Sequence, residues 1–317
     1  MKRLRIGVIG TGHLGYHHAR LYKTIPNLEL VGIADTGAAA RQRVAQDFAV
    51  PAYADYEELL NQDLDAVSVA TPTHTHKDVA LAAISKGVHV LVEKPIASTP
   101  DEARAMTTAA KEKHVILQVG HVERFNGAVL ALFKSDIKPS FIECHRLSPF
   151  SGRSSDVSVV LDLMIHDLDI ILQLTQSEPV QVDASGVPIF SEQEDIANAR
   201  LRFASGCVAN LTSSRVSMEA MRKIRIFDPN AYISTDYSAQ QVLVYRKKPG
   251  PLPKDGNFME HISVTPIPVH KEEPLRLELT AFIDAVRFDA APNVSGDDGL
   301  HALELSWRIL EAIRNSP

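Results

Sequence analysis

Arg5-Ile6-Gly7-Val8-Ile9-Gly10-Thr11-Gly12-His13-Leu14-Gly15 decides how the first half of this chain is read. A short apolar run, which reads as a buried strand, passes directly into G-x-G-x-x-G. A helical pattern then begins, with Leu14, His18 and Leu21 at i, i+4 and i+7. A glycine motif of this form gains physical meaning between a strand and a helix. There Gly10 permits the tight turn, Gly12 lets a pyrophosphate approach the backbone, and Gly15 lets helix and strand pack closely. The free N–H groups of the helix start then face the phosphates. Thr11, His13 and Leu14 complete the candidate phosphate loop. A second apolar run, Leu28 to Ala34, ends in Asp35 at the usual offset of about 20 residues for a carboxylate that binds the adenosine ribose. An acid there repels a 2′-phosphate, so NAD is favoured over NADP, while Arg41 and Arg43 keep NADP as the minority reading.

The alternation continues outward. Asp65 to Ala70 reads as a third strand stopping at Thr71-Pro72, a helix runs from about His76 to Lys86, and Gly87 suits its end. His89-Val90-Leu91-Val92-Glu93-Lys94-Pro95 is a fourth strand with an acid and a base at its carboxyl end, where open α/β sheets collect ligands. Thr99-Pro100-Asp101-Glu102 carries the cap signals of a helix reaching Lys113, and Val115 to Val119 makes a fifth strand. Strands alternating with helices imply an α/β fold with a doubly wound parallel sheet over residues 1–120. Thr71, Pro72, His76, Glu93 and Lys94 join the candidate cofactor contacts, His76 because it opens a helix after the third strand. His13, His17, His18, His74 and His76 crowd this half. Adjacent His17 and His18 cannot share a helix face, and no Cys or carboxylate stands at ligand spacing beside them, so no metal is expected.

The chain has 317 residues, 45% hydrophobic and 23% charged, which fits two globular domains. Its net charge of −6 argues against nucleic acid as the main partner. No apolar run reaches the ~18 residues needed to span a bilayer. The basic start, Met1 to Arg5, leads into a strand instead of a signal peptide, and two cysteines, Cys144 and Cys207, suit reduced thiols in the cytoplasm.

From residue 121 to 317 the pattern changes. His121, Arg124 and Asn126 precede an apolar helical stretch from Val129 to Phe133, and a strand follows from Ser140 to Leu147. Val159 to Leu172 reads as a mostly apolar helix that nonetheless carries Asp162, His166, Asp167 and Asp169. Asp162 and His166, four apart, lie one above the other on one face. Either they form a self-satisfying buried pair or they serve chemistry, because burying such groups without partners is costly. Stretches 180–188, 197–203, 207–213, 223–227 and 241–245 read as strands, with a hairpin turn at Ala204-Ser205-Gly206. Together they make an open, mainly antiparallel sheet whose wide face asks for a cover, naturally a second subunit. Lys247 to Lys254 reads as a solvated loop, and 275–288 and 299–314 as closing helices, the last able to pack back on the first domain.

Taken together, Gly10 to Gly15, Glu93-Lys94-Pro95 and the Asp162-x-x-x-His166 helix resemble the Gfo/Idh/MocA oxidoreductases, the family of glucose–fructose oxidoreductase and inositol dehydrogenase. The resemblance spans essentially the whole chain. It implies a nicotinamide-binding Rossmann domain, an α+β domain whose sheet mediates a homodimer or homotetramer, and hydride transfer at a sugar or polyol carbon. It further implies that Lys94, Asp162 and His166 are catalytic. Within the family, Gly120 to Asn126 is most similar to bacterial members acting on nucleotide sugars, UDP-N-acetylglucosamine 3-dehydrogenases among them. His121, Arg124 and Asn126 are the candidate substrate contacts, Arg124 for a phosphate. One departure stands out: Val159-Val160-Leu161 precede Asp162, where the family often has glycines. A free polyol or inositol dehydrogenase, an NAD-dependent glycosidase and a nicotinamide-bound sensor without turnover are the alternatives. Whether His166 or a Lys94 of depressed pKa takes the proton stays open.

Overall fold

A computed structural model describes residues 3–152, 156–250 and 258–315. Among them two compact units form, each discontinuous in sequence: Met1–Val122 with Glu273–Leu303, and Glu123–Glu272 with Glu304–Pro317. The first boundary thus falls close to the expected residue 120. The segment Glu273–Leu303, expected in the second domain, instead belongs to the first.

The first unit opens with β1 (Leu4–Ile9), α1 (His13–Tyr22), β2 (Leu28–Ala34), α2 (Ala38–Phe48), β3 (Ala52–Tyr53) and α3 (Tyr56–Leu60). It continues with β4 (Ala66–Val69), α4 (His76–Ser85), β5 (His89–Glu93), α5 (Pro100–Glu112) and β6 (Leu117–Gly120). All its strands pair in parallel, in the order β3-β2-β1-β4-β5-β6. This is the Rossmann order, with its direction reversing beside β1, where such folds bind ligands. β4 is buried throughout, as a strand covered on both faces must be. Thr99 caps α5, accepting from Glu102 N–H, with Pro100 in the first turn. Two short elements, β3 and α3, were not legible in the sequence. β3 is two residues long, below the length at which any periodicity exists.

The second unit contains α6 (Gly127–Phe133), β7 (Phe141–Leu147), a π-helical turn (Val160–Met164) running into α7 (Ile165–Thr175), and seven further strands. These are β8 (Pro179–Val187), β9 (Ile196–Phe203), β10 (Val208–Ser214), β11 (Met221–Asp228), β12 (Ala231–Asp236), β13 (Gln241–Lys247) and β14 (Ile262–Ile267). The sheet runs β14-β13-β12-β11-β7-β10-β9-β8, antiparallel except where β10 lies parallel to β7. Gly206, at φ +88°, makes the expected turn between β9 and β10. Of the loop expected at Lys247 to Lys254, residues 251–254 lie outside the described residues.

Two helices complete the chain. α8 (Pro274–Phe288) belongs to the first unit, where Leu279, Phe282 and Ile283 join Leu21, Tyr22 and Leu91 in one core cluster. α9 (Gly296–Asn315) gives its residues up to Leu303 to the first unit and the remainder to the second. There Leu305 and Ile309 pack with α6, α7 and one face of the eight-stranded sheet.

The four polar groups on the expected helix separate cleanly. Asp167 takes a bidentate contact from Arg146 (2.9 Å twice), and Asp169 another from Arg124 (2.7 and 2.6 Å). Arg146, which also donates to Glu123 at 3.0 Å, is on the inward face of β7 with Ile142 and Cys144. Burial works against its charge, yet Asp167 and Glu123 outweigh that and push its pKa upward. Removing one member leaves a buried charge uncompensated. Arg146→Met should therefore cost about 3–5 kcal/mol of unfolding free energy, and Arg146→Met with Asp167→Leu clearly less. Urea denaturation of both variants checks this.

Candidate active site

The phosphate loop is shaped by what its glycines lack. Gly10 sits at φ +87°, and a Cβ there would stand 2.5 Å from the Ala70 carbonyl oxygen. A Cβ on Gly15 would fall 1.8 Å from the Gly10 carbonyl oxygen. Gly12 differs: nothing lies within 4 Å of where its Cβ would be. Its bareness therefore serves something outside the protein. Gly12 also precedes α1, whose first turn has neither a side-chain cap nor an acidic residue. The positive end of the helix is thus left for an anion.

Asp35 is held in place by its neighbours. Its Oδ2 accepts from the Thr11 N–H (2.6 Å) and hydroxyl (2.9 Å), and its Oδ1 from Gly37 N–H (2.7 Å). A carboxylate offers about four acceptor positions, so capacity remains for sugar hydroxyls. Thr11 is fully buried, so its side chain acts by fixing Asp35. The two arginines that kept NADP in play are otherwise engaged. Arg41 donates to the Asp35 carbonyl at 2.6 Å, and Arg43 lies over the Tyr16 ring at 5.0 Å. His13 and Leu14 are exposed in the first turn of α1, Leu14 at 42%. The expected buried face therefore begins at His18 instead of Leu14. These features fit a bound dinucleotide.

His76 corrects an expectation. It is 1% exposed, with Nε2 2.9 Å from the Thr71 carbonyl and Nδ1 3.0 Å from that of Pro95. No surface remains for a cofactor; burial lowers its pKa, and the two carbonyls work against that. Its task is to tie the loop after β4 to the loop after β5, one residue beyond Lys94. Thr71 and Pro72 stay partly accessible in the first of those loops. Lys94 is half-buried between Glu93 and Pro95, which are both buried, and the Lys94–Pro95 peptide is cis.

In the second unit, Asp162 lies within the π-helical turn and His166 one residue into α7. With i→i+5 bonding, four residues fall just short of a full turn instead of just past it, so the two side chains keep to neighbouring directions. Ser158 starts the run by accepting from Val160 N–H at 3.2 Å. Both Asp162 and His166 remain partly exposed, unlike Asp167 and Asp169.

The three candidate substrate contacts fare otherwise. Arg124 is buried and committed to Asp169, which removes it as a phosphate ligand. Asn126 is buried as the cap of α6, accepting from Ala128 N–H and donating to the Tyr237 carbonyl. His121 is fully buried as well. All three are interior residues. Sequence reading missed Arg146, although its alternation with Ile142 and Cys144 places it inward, where Asp167 needs a cation. It also missed His18, set aside with the other histidines. Cys144 and Cys207 are free, buried thiols, and burial pushes both pKa values up, that of Cys207 to about 11.

The comparisons agree with this geometry. Residues 4–121 match the oxidoreductase family with an NAD-binding Rossmann fold (GFO_IDH_MocA), and residues 138–233 match the GFO/IDH/MocA C-terminal domain. The chain is 36% identical to a UDP-N-acetylglucosamine 3-dehydrogenase of Acidithiobacillus ferrooxidans, over 99% of this chain and 98% of that one. A solved structure of that enzyme superposes with a TM-score of 0.92, at 36% identity and with coverage of 99% and 98%. A scyllo-inositol 2-dehydrogenase (NAD(+)) of Bacillus subtilis is 27% identical, covering 99% of this chain and 95% of its own length. The chain belongs to the Gfo/Idh/MocA family, and is an NAD-binding oxidoreductase.

The glycines separate fold from ligand. Gly12→Ala should leave thermal stability within about 1 kcal/mol of wild type while weakening NAD binding at least tenfold. Gly15→Ala should lose both, since its clash is with backbone. Thermal melts paired with NADH fluorescence titration read the two apart.

Proposed function

We propose that this protein oxidises or reduces a nucleotide sugar at a ring carbon, with UDP-N-acetylglucosamine C3 as the best candidate and NAD as the hydride carrier. The observation that carries the reading is the sorting of polar groups on one helix. Asp167 and Asp169 are buried and consumed by Arg146 and Arg124, whereas Asp162 and His166 keep access to solvent. A purely structural helix has no reason to keep that pair within reach of solvent. The 36% identity to a UDP-N-acetylglucosamine 3-dehydrogenase over 99% of the chain supports the substrate. The inositol dehydrogenase relative makes a free polyol the reading to beat.

Bound NAD supplies the acceptor for hydride at its nicotinamide ring. This chain's residues do the remainder in the oxidative direction. His166 takes the hydroxyl proton, Asp162 orients the imidazole or a neighbouring hydroxyl, and Lys94 donates a hydrogen bond to the reacting oxygen as negative charge develops. His166→Ala should lower kcat by about 10²–10⁴-fold, the usual worth of a general base. Lys94→Ala should lower it by about 10²-fold or more. NADH formation with UDP-N-acetylglucosamine, N-acetylglucosamine and inositols reads both. Near-normal kcat in both variants would refute the roles, and turnover of free inositol alone would refute the substrate. Replacing Asp35 with serine should narrow a preference for NAD over NADP, and a wild-type preference for NADP would overturn the ribose role.

The outer face of the eight-stranded sheet supports a homodimer or homotetramer. Phe141, Phe227, Tyr232 and Tyr245 form a row across four strands, with ring centroids 5.7, 5.1 and 5.1 Å apart. Phe227 is 37% exposed, and Val264, paired with Tyr245 on the edge strand, 48%. A contiguous apolar row of this kind asks to be covered. Phe227→Glu should shift the species seen by light scattering toward monomer. A cytoplasmic setting, in keeping with two unpaired thiols, completes the reading.

A further inference from the structure

Glu93 precedes Lys94, and its carboxylate is buried at 7% exposure, a placement that is costly without partners. Across the strand pair stands Gly120, whose missing Cβ would come within 3.0 Å of Glu93 Oε2. On the other side His18 Nε2 lies 3.0 Å from Glu93 Oε1, a close polar contact whose angle falls outside hydrogen-bond geometry. His18 is 0% exposed. Its Nδ1 is 3.2 Å from Ser68 Oγ, and that oxygen is 2.6 Å from the Tyr22 hydroxyl. The four side chains come from α1, β4 and β5, so the line crosses the interior beneath the strand ends.

With His18 as a neutral imidazole, the hydrogens of this line have one consistent arrangement. Ser68 is the hydrogen-bond partner of Tyr22, and burial raises the pKa of Tyr22, so the phenol keeps its proton and donates it to Ser68 Oγ. The Ser68 hydrogen is then directed to His18 Nδ1. A neutral imidazole that accepts at Nδ1 carries its proton on Nε2, which faces Glu93. The reverse order would strand the phenolic proton in the interior and require a protonated Glu93.

We propose that Tyr22, Ser68 and His18 form a one-way hydrogen-bonded relay that holds the Glu93 side chain in a single orientation, and thereby sets the position of Lys94 for hydride transfer. His18 and Glu93 are positioning residues, not catalytic ones. They act on the residue before Lys94, as His76 acts on the carbonyl of the residue after it. The proposal rests on the role given above to Lys94. It goes further in assigning buried residues, one of them a histidine considered above only as a metal ligand, to the geometry of the reaction.

The test uses full-length protein with NAD and the sugar that is turned over best. Lys94→Ala serves as reference beside His18→Leu, His18→Gln, Tyr22→Phe and Glu93→Gln. His18→Leu should lower kcat by about 10–100-fold, in line with the sensitivity of near-attack geometry to displacements of about 1 Å, with KM and NAD affinity within about threefold. The primary deuterium isotope effect, with substrate labelled at the reacting carbon, should rise. His18→Gln, whose amide reaches where Nε2–H stood, should recover most of the loss. Tyr22→Phe, which removes one hydroxyl, should lower kcat severalfold with the same signature, and decides the matter if His18→Leu does not fold. Unchanged kcat in the His18 and Tyr22 variants, beside a collapse in Lys94→Ala, would overturn the relay and leave the role of Lys94 standing. Unchanged kcat in Lys94→Ala would overturn both.

Discussion

The first unit depends on the contact between Gly15 and the carbonyl of Gly10. A single methyl group at residue 15 would overlap that oxygen, so helix and strand meet there at bare backbone distance. That closeness fixes the direction of α1, and two consequences follow from it. The helix start, without cap or acid, faces outward at the end of β1. Further along, His18 and Tyr22 are driven inward beneath β4 and β5, where they find Ser68 and Glu93. One steric constraint thus serves both the candidate phosphate loop and the interior behind Lys94.

The second unit is governed by buried charge. Asp167, Asp169 and Asp195 are each matched to a buried arginine: Arg146, Arg124 and Arg215. Such pairs add little net stability over well-packed apolar residues. What they provide here is register. Asp167 and Asp169 engage cations from different elements, so α7 can neither rotate nor slide without stranding a charge. Asp195 accepts from Ile189, Phe190 and Ser191 N–H groups, while Arg215 also holds the Val157 carbonyl. The segment before the π-helical turn is therefore fixed from outside the helix. Asp162 sits on that turn, a backbone form often met at functional sites.

Legibility in the sequence followed the range of the physics involved. The glycine loop, Asp35 and the end of β5 could be read because each depends on neighbours within one βα unit. The strands of the second sheet could be read from alternation, though β12 and β14, interrupted by polar residues, could not. Arg124 was misread for a specific reason. An arginine near a helix start looks the same whether it faces a phosphate or an aspartate 45 residues away. Asn126 and His121 were misread likewise, because burial is a property of the folded chain. His76 was placed on the right loop but given the wrong task, since its carbonyl partners belong to two different crossovers.

By itself the sequence determined the class of the fold, the nicotinamide dinucleotide, a candidate loop for its phosphates, and the candidacy of Lys94, Asp162 and His166. These rest on spacing, glycine sterics and local polarity, which the chain carries residue by residue. Only the tertiary structure decided which polar residues are buried in ion pairs and which reach solvent. It assigned Arg124 and Arg146 to α7, gave Thr11 to Asp35, placed a π-helical turn at Asp162, and set His18 beside Glu93. The reason is that a buried charge or hydroxyl is satisfied by whatever lies nearest in space. For Arg124 and Asp169, or His18 and Glu93, that partner is dozens of residues away along the chain.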